Sequence, residues 1–180
     1  MIRVGLLGTG RIGRLHAGTI ASHPESSLYA VSDIDSGSAN ETAVQYGAAV
    51  KSSEEIISDP NIDAVLIATS TDTHAEFIEK ASFVGKSVFC EKPVDLSLSR
   101  AKECLNKVSV KNNPIMIGFN RRFDPNFAQL KRSLDDNEIG KSELLTITSF
   151  DPSPPPVSYV KTSGGLYRDM MIHDFDLSNF

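Results

Sequence analysis

The stretch Gly8-Thr-Gly10-Arg-Ile-Gly13 constrains this chain more than any other, because of what stands on either side of it. It follows Ile2–Gly8, a short unbroken apolar run of the kind that suits a strand covered on both faces. It opens a window of helical spacing. Each glycine has its own physical task. Gly8 permits a tight turn, Gly10 lets backbone lie against a pyrophosphate, and Gly13 allows helix and strand to approach closely. The following helix directs free amides and its positive dipole end at the phosphates. Glycine-rich turns are common, so context decides. Asp33 stands 20 positions beyond Gly13, at the end of the next apolar run. A carboxylate there accepts hydrogen bonds from the adenosine ribose. It would repel a 2′-phosphate, and no Lys or Arg follows nearby, so the expected cofactor is NAD rather than NADP. Arg11 and Ile12, inside the glycine turn, are expected beside the cofactor, and Arg14 is expected to be a surface charge.

The rest of the first two thirds repeats a strand–helix alternation. Leu28–Asp33, Ala48–Lys51, Ala64–Thr69, Ser87–Glu91 and Ile115–Phe119 read as strands. Ser38–Glu41, Ser52–Glu55 and Thr73–Glu76 match the capping box, with Asp72 as an alternative cap for the third. Gly47, Gly85 and Pro24 stand where helices should stop, and Ser97–Val110 is a further helical window. Such alternation predicts an α/β fold, a doubly wound parallel sheet with right-handed crossovers. The character changes after Asn120. A helical window at Pro125–Leu134 leads to an alternating strand pattern at Ser142–Phe150, a proline-rich connector at 151–156, and a glycine turn entering a helix over Gly164–Phe180. The expected division is a nucleotide-binding domain over 1–119 and the start of an incomplete second domain over 120–180. About 60 residues with one long strand would leave an open sheet, so the sequence is expected to end inside a domain.

Composition removes several classes of function. The 180 residues carry 18 Lys and Arg against 23 Asp and Glu, a net charge of −5. Nucleic acid is therefore not an expected partner, since phosphate binding needs clustered cations. The longest apolar runs, such as Ala64–Ala68, fall far short of the ~20 residues of a membrane span. The N-terminus enters a strand directly, without the pattern of a secretion signal. Cys90 and Cys104 are expected to be reduced and buried, and the chain cytoplasmic. No metal is expected.

Three further groups carry chemistry. Thr69, Ser70 and His74 follow the fourth strand, whose carboxyl end faces the cofactor crevice of such a fold. The hydroxyls suit the ribose and nicotinamide, and His74 either contacts the cofactor or serves as a cap or core residue. Glu91-Lys92-Pro93 ends the fifth strand, and the proline biases Lys92 toward extended backbone; Lys92 is either a crevice residue or an ordinary surface lysine. Asp169 and His173 are four apart and would share one face of a helix, either as working groups or as a satisfied histidine with a capping aspartate. Histidine exchanges protons near neutral pH. Asp174 and Asp176 read as surface or structural residues.

Taken together, GTGRIG at 8–13, EKP at 91–93, GFNRRFD at 118–124 and DMMIHDFD at 169–176 resemble the glucose–fructose oxidoreductase/inositol dehydrogenase (Gfo/Idh/MocA) family along essentially the whole chain. SFDPSPPP at 149–156 and SGGLYRDMMIHDFD look closest to its inositol 2-dehydrogenase branch, although Phe150 departs from the Arg expected before Asp151. The resemblance implies two domains, the second built on a large, mostly antiparallel sheet that supports homo-oligomer contacts. It implies hydride transfer between a polyol or sugar carbon and the nicotinamide. Lys92, Asp169 and His173 would be catalytic, with Glu91 and Lys92 also at the cofactor. Asn120, Arg121, Asp151, Asp169 and His173 would contact the substrate. Relatives continue well beyond the catalytic helix. Two alternatives stand beside an inositol dehydrogenase: a non-catalytic dinucleotide-binding protein or pseudoenzyme fragment, and another sugar dehydrogenase of the family.

Overall fold

A computed structural model describes residues 1–150, 153–160 and 163–180. They form two compact units, Met1–Gly118 and Phe119–Phe180.

In the first unit, six strands alternate with five helices. The strands are β1 (Ile2–Leu7), β2 (Ser26–Ser32), β3 (Ala49–Val50), β4 (Ala64–Ile67), β5 (Ser87–Cys90) and β6 (Ile115–Ile117). All pair in parallel in the order β3-β2-β1-β4-β5-β6. The order reverses between β1 and β4, the switch point where such sheets bind ligands. Consecutive side chains along a strand face opposite sides, and here both sides are covered. Leu6 and Leu66 join Ala17 and Ile20 of α1 (Arg11–Ser22) and Ala39 and Ala43 of α2 (Ser36–Tyr46). On the other side, Leu7, Val65 and Ile67 pack with Ile56 and Ile57 of α3 (Ser53–Ser58), Ala75 and Ile78 of α4 (Thr71–Phe83), and Cys104 and Val108 of α5 (Leu98–Val108). Each fully buried Leu, Ile or Val contributes about 1.5–3 kcal/mol, which is why these strands read as unbroken apolar runs. Cys90 and Cys104 are both buried free thiols, and burial raises the Cys90 thiol well above its ordinary pKa.

The helix starts differ partly from expectation. Ser52–Glu55 forms the capping box in full. Ser38–Glu41 does not: α2 begins earlier, because the Asp35 carboxylate accepts from the amides of Gly37 and Ser38. The third box is also absent. Ser70 is the N-cap of α4, and the Thr73 hydroxyl instead meets the Ser70 carbonyl and the Thr69 hydroxyl. Gly47 and Gly85 both adopt positive φ where helices end.

The second unit begins with a 3-10 turn, Asn120–Phe123, and α6 (Pro125–Asp135), capped by Asp124. Among the described residues three short helices follow: α7 (Val157–Val160), α8 (Leu166–Asp169) and α9 (Ile172–Ser178). Two expectations fail here. Ser142–Phe150 is not a strand. The period-two pattern is present, but no other strand among the described residues lies against it, and a lone strand leaves its amides unpaired. The last segment is not one helix running to Phe180. Gly164 and Gly165 make the expected turn with positive φ. The amide of Met171 then reaches back to the Leu166 carbonyl and closes α8, and α9 starts afresh at Ile172. Asp169 and His173 therefore belong to two successive helices rather than to one helical face.

Candidate active site

The glycine turn sits at the carboxyl end of β1. Gly8 has φ +92, and a Cβ there would stand 2.4 Å from the Ala68 carbonyl oxygen, so β1 and the end of β4 meet backbone to backbone. At Gly13 a Cβ would fall 1.9 Å from the Gly8 carbonyl oxygen. Gly10 is the opposite case. It is exposed, and a Cβ there would meet nothing within 4 Å. The turn thus keeps a bare, open backbone surface over the N-terminus of α1. That is the cradle a pyrophosphate needs, and the residues present fit a dinucleotide.

Asp33 follows β2 and is drawn onto this turn. Its Oδ2 accepts from the Thr9 amide at 2.5 Å and from the Thr9 hydroxyl at 3.1 Å, and its Oδ1 accepts from the Asp35 amide at 2.9 Å. The carboxylate is fixed beside the glycines. Arg14, expected as a surface charge, is exposed and also braces the same turn. Its Nε donates to the Thr9 carbonyl at 3.1 Å, and its Nη2 donates to the Ser38 hydroxyl and to Glu41. Arg11 is exposed and Ile12 half-buried in the first turn of α1.

Across the switch point, Thr69 is half-buried and Ser70 exposed at the end of β4. His74 lies below them, 2% exposed. Its Nδ1 is 2.8 Å from the Pro93 carbonyl oxygen and its Nε2 is 3.1 Å from that of Thr69. Both ring nitrogens are thus turned to backbone, joining the loop after β4 to the loop after β5. Of the two readings of His74, this geometry favours the core tie. Lys92 is half-buried in the loop after β5. The neighbouring Glu91 carboxylate is 2.7 Å from His16 Nε2 of α1 and also takes the Lys92 backbone amide. Burial pushes the Glu91 carboxyl up; the His16 hydrogen bond and charge, the Lys92 amide and the Lys92 charge outweigh it and hold the group below its ordinary pKa. An ionised carboxylate only accepts, so His16 is the donor.

In the second unit, the 3-10 turn and α9 are joined by ion pairs. Arg121, expected at the substrate, directs Nη1 to Asp174 and to the Ser149 hydroxyl at 3.2 Å. Arg122 grips Asp176 with two parallel hydrogen bonds of 2.7 and 2.6 Å. Such bidentate, charge-assisted pairs are among the stronger polar contacts. Burial raises the Asp174 carboxyl, but Ser149 and Arg121 outweigh it and lower its pKa. Asp174 and Asp176 are thus structural, as expected. His173, next to Asp174 in α9, is half-buried and edge-on to the Phe119 ring at 6.4 Å. Asn120 is exposed and Asp169 half-buried at the end of α8. Asp151 lies outside the described residues.

Sequence reasoning did not single out His16, Thr9 or Arg122, and it gave Ser38 only a capping role. For Arg122 a signal exists: two adjacent arginines at 121–122 and two carboxylates at 174 and 176. For His16 there is none beyond its place in α1, since its partner lies 75 residues away.

This arrangement of strands, glycine turn and carboxylate coincides with a family model described as an oxidoreductase family with an NAD-binding Rossmann fold, matched over residues 2–119. The chain belongs to the Gfo/Idh/MocA family. It is 49% identical over 179 residues to an inositol 2-dehydrogenase of Rhizobium meliloti, covering 99% of this chain and 54% of that protein. The solved myo-inositol dehydrogenase of Corynebacterium glutamicum superposes with a TM-score of 0.93 at 38% identity, over 99% of this chain and 54% of the other. A scyllo-inositol dehydrogenase of Lactobacillus casei, solved with NAD(H) and scyllo-inositol, superposes with a TM-score of 0.84 at 30% identity, over 99% and 55%. The chain thus spans about half the length of the family relatives it matches.

Proposed function

We propose that this chain carries the cofactor half of an NAD-dependent dehydrogenase acting on a secondary hydroxyl of a cyclic polyol, with myo-inositol as the first candidate. The observation that carries the reading is the open cradle over Gly10 at the switch point, with Asp33 fixed beside it. The likeness to inositol dehydrogenases over 99% of the chain supports the substrate class. Residues 1–119 form the NAD-binding domain, and 120–180 begin a substrate and oligomerisation domain. The setting is cytoplasmic and the assembly a homo-oligomer.

When bound, NAD supplies the hydride acceptor at nicotinamide C4. The glycine turn and Arg11 hold the pyrophosphate, and Asp33 accepts from the adenosine ribose hydroxyls and disfavours a 2′-phosphate. Thr69, Ser70, Glu91 and Lys92 line the crevice toward the nicotinamide. His173 takes the hydroxyl proton as the carbinol C–H leaves as hydride. Lys92 donates a hydrogen bond to the same oxygen and stabilises its developing negative charge. Asp169 orients the substrate, with Asn120, Arg121 and Asp151 as further contacts.

The test mixes purified chain with NAD and myo-inositol and follows the absorbance of reduced nicotinamide. Turnover is expected, and His173→Ala and Lys92→Ala should each lower it by about 10²–10⁴-fold. An unchanged rate in either variant removes that residue from the mechanism. A second reading, a dinucleotide-binding module without turnover, is favoured by the second unit, where no described residue from 119 to 180 is buried. NAD binding with no turnover across a panel of cyclitols and sugars would decide for it.

A further inference from the structure

The loop that carries Lys92 is held by a histidine on each side. On one side is Glu91, whose backbone amide is bonded to the Ile67 carbonyl at 2.9 Å. Its carboxylate receives His16 Nε2 at 2.7 Å and the Lys92 amide. The niche has a third wall. A Cβ on Gly118, at the end of β6, would lie 3.2–3.3 Å from the Glu91 carboxylate. Only a glycine leaves the group its full space between α1 and β6. His16 itself is seated edge-on against Phe89 of β5, with ring centroids 5.2 Å apart. On the other side of Lys92, the Pro93 carbonyl faces Nδ1 of the buried His74 at 2.8 Å.

We propose that His16 and His74 are positioning residues for Lys92. His16 acts through the Glu91 carboxylate on the Lys92 amide, and His74 acts through the Pro93 carbonyl. Together they fix the backbone on both sides of Lys92, and so the point from which its side chain departs. The His16 tie has a second consequence. It joins the helix whose N-terminus forms the phosphate cradle to the strand end that presents the amine. The cofactor cradle and Lys92 are thereby set at one spacing. A tie of this kind costs ordering entropy and is retained where a side chain must be held to a fraction of an ångström.

The purpose given to Lys92 rests on the proposed dehydrogenase reading, so the test uses a readout independent of turnover. The whole chain is trace-labelled with acetic anhydride, and labelling of Lys92 is measured by mass spectrometry relative to exposed Lys102 of α5. His16→Leu should raise the Lys92/Lys102 ratio about fivefold, the change in local opening that follows loss of one hydrogen bond. His16→Gln keeps an N–H donor and should return most of the way to the native ratio. His74→Asn should raise the ratio in the same direction. If His16→Leu lowers the melting temperature while the ratio stays native, the residue is merely structural and the proposal falls. The native chain is assayed in parallel with NAD and myo-inositol. A ratio that rises on His16→Leu in a chain without turnover keeps the brace and removes the catalytic reading of Lys92.

Discussion

Gly10 and Gly13 separate binding from folding. A methyl group at Gly13 would fall 1.9 Å from the Gly8 carbonyl oxygen, so backbone must move. Gly13→Ala is expected to cost about 1–3 kcal/mol of stability, as overpacking does. A methyl group at Gly10 meets nothing within 4 Å, so Gly10→Ala should leave stability within about 0.5 kcal/mol of the native value. It should nevertheless weaken NAD binding severely, because the methyl group occupies the cradle. Urea denaturation and calorimetric NAD titration of the two variants check this. Equal affinity in Gly10→Ala and the native chain would mean that no pyrophosphate lies there. At this scale the glycines and Asp33 were legible because each has a stereotyped task at a fixed spacing. The hydrogen bonds that set Asp33 were not. Its partner Thr9 lies 24 residues away, and no periodicity links the two.

Among the elements, the loop between α3 and β4 is held by a polar cluster in which Lys86 is buried and Asp59 and Lys51 are half-buried. Asp59, the C-cap of α3, accepts from the Asn61 amide at 2.8 Å and pairs with Lys51, next to β3. Lys86 Nζ donates to the Asp59 and Ile62 carbonyls at 2.5 and 2.6 Å, and burial lowers its pKa. The Lys51 hydrogen bond, the Asn61 amide and the Lys51 charge pull the Asp59 carboxyl from 3.8 down to about 2 against the opposing effect of burial. A depressed carboxyl favours the folded state while it is charged. Its contribution is therefore complete above pH 3.8 and is lost as pH falls toward 2. Asp63 and Glu55, next to it, shift in the same direction. The urea midpoint of the native chain should fall through this window. Asp59→Asn should start lower at neutral pH and fall less steeply. Parallel curves would show that Asp59 contributes nothing to acid stability. The strands of this unit were readable because burial on both faces writes itself as a continuous apolar run, as in Val65-Leu66-Ile67. The start of α2 was misread because Ser38–Glu41 satisfies the capping pattern while Asp35, three residues earlier, provides the better acceptor. Ser142–Phe150 was misread for a different reason. Alternation encodes the two faces of a strand, whereas the strand itself depends on a neighbour that the pattern does not contain.

At the level of the whole molecule the two units differ in how they are stabilised. The first has a two-sided sheet with a continuous core on each face. In the second, no described residue from 119 to 180 is buried, and the Arg121–Asp174 and Arg122–Asp176 pairs join its 3-10 turn to α9. Leu144 and Phe150 are 87% and 88% exposed, and Val157, Leu166 and Tyr167 are exposed too. Exposed apolar side chains favour self-association where they form a contiguous patch, and the alternating segment 142–150 forms no strand with any other described residue. The chain is therefore expected to self-associate through its second unit. Light scattering coupled to size exclusion should give a mass that rises with concentration. Leu144→Lys together with Phe150→Lys should return it toward the 19.5 kDa monomer, while NAD binding by the first unit stays unchanged. A native chain that remains monomeric at high micromolar concentration would show that these apolar side chains are masked in solution, and would remove the second unit as the source of the assembly.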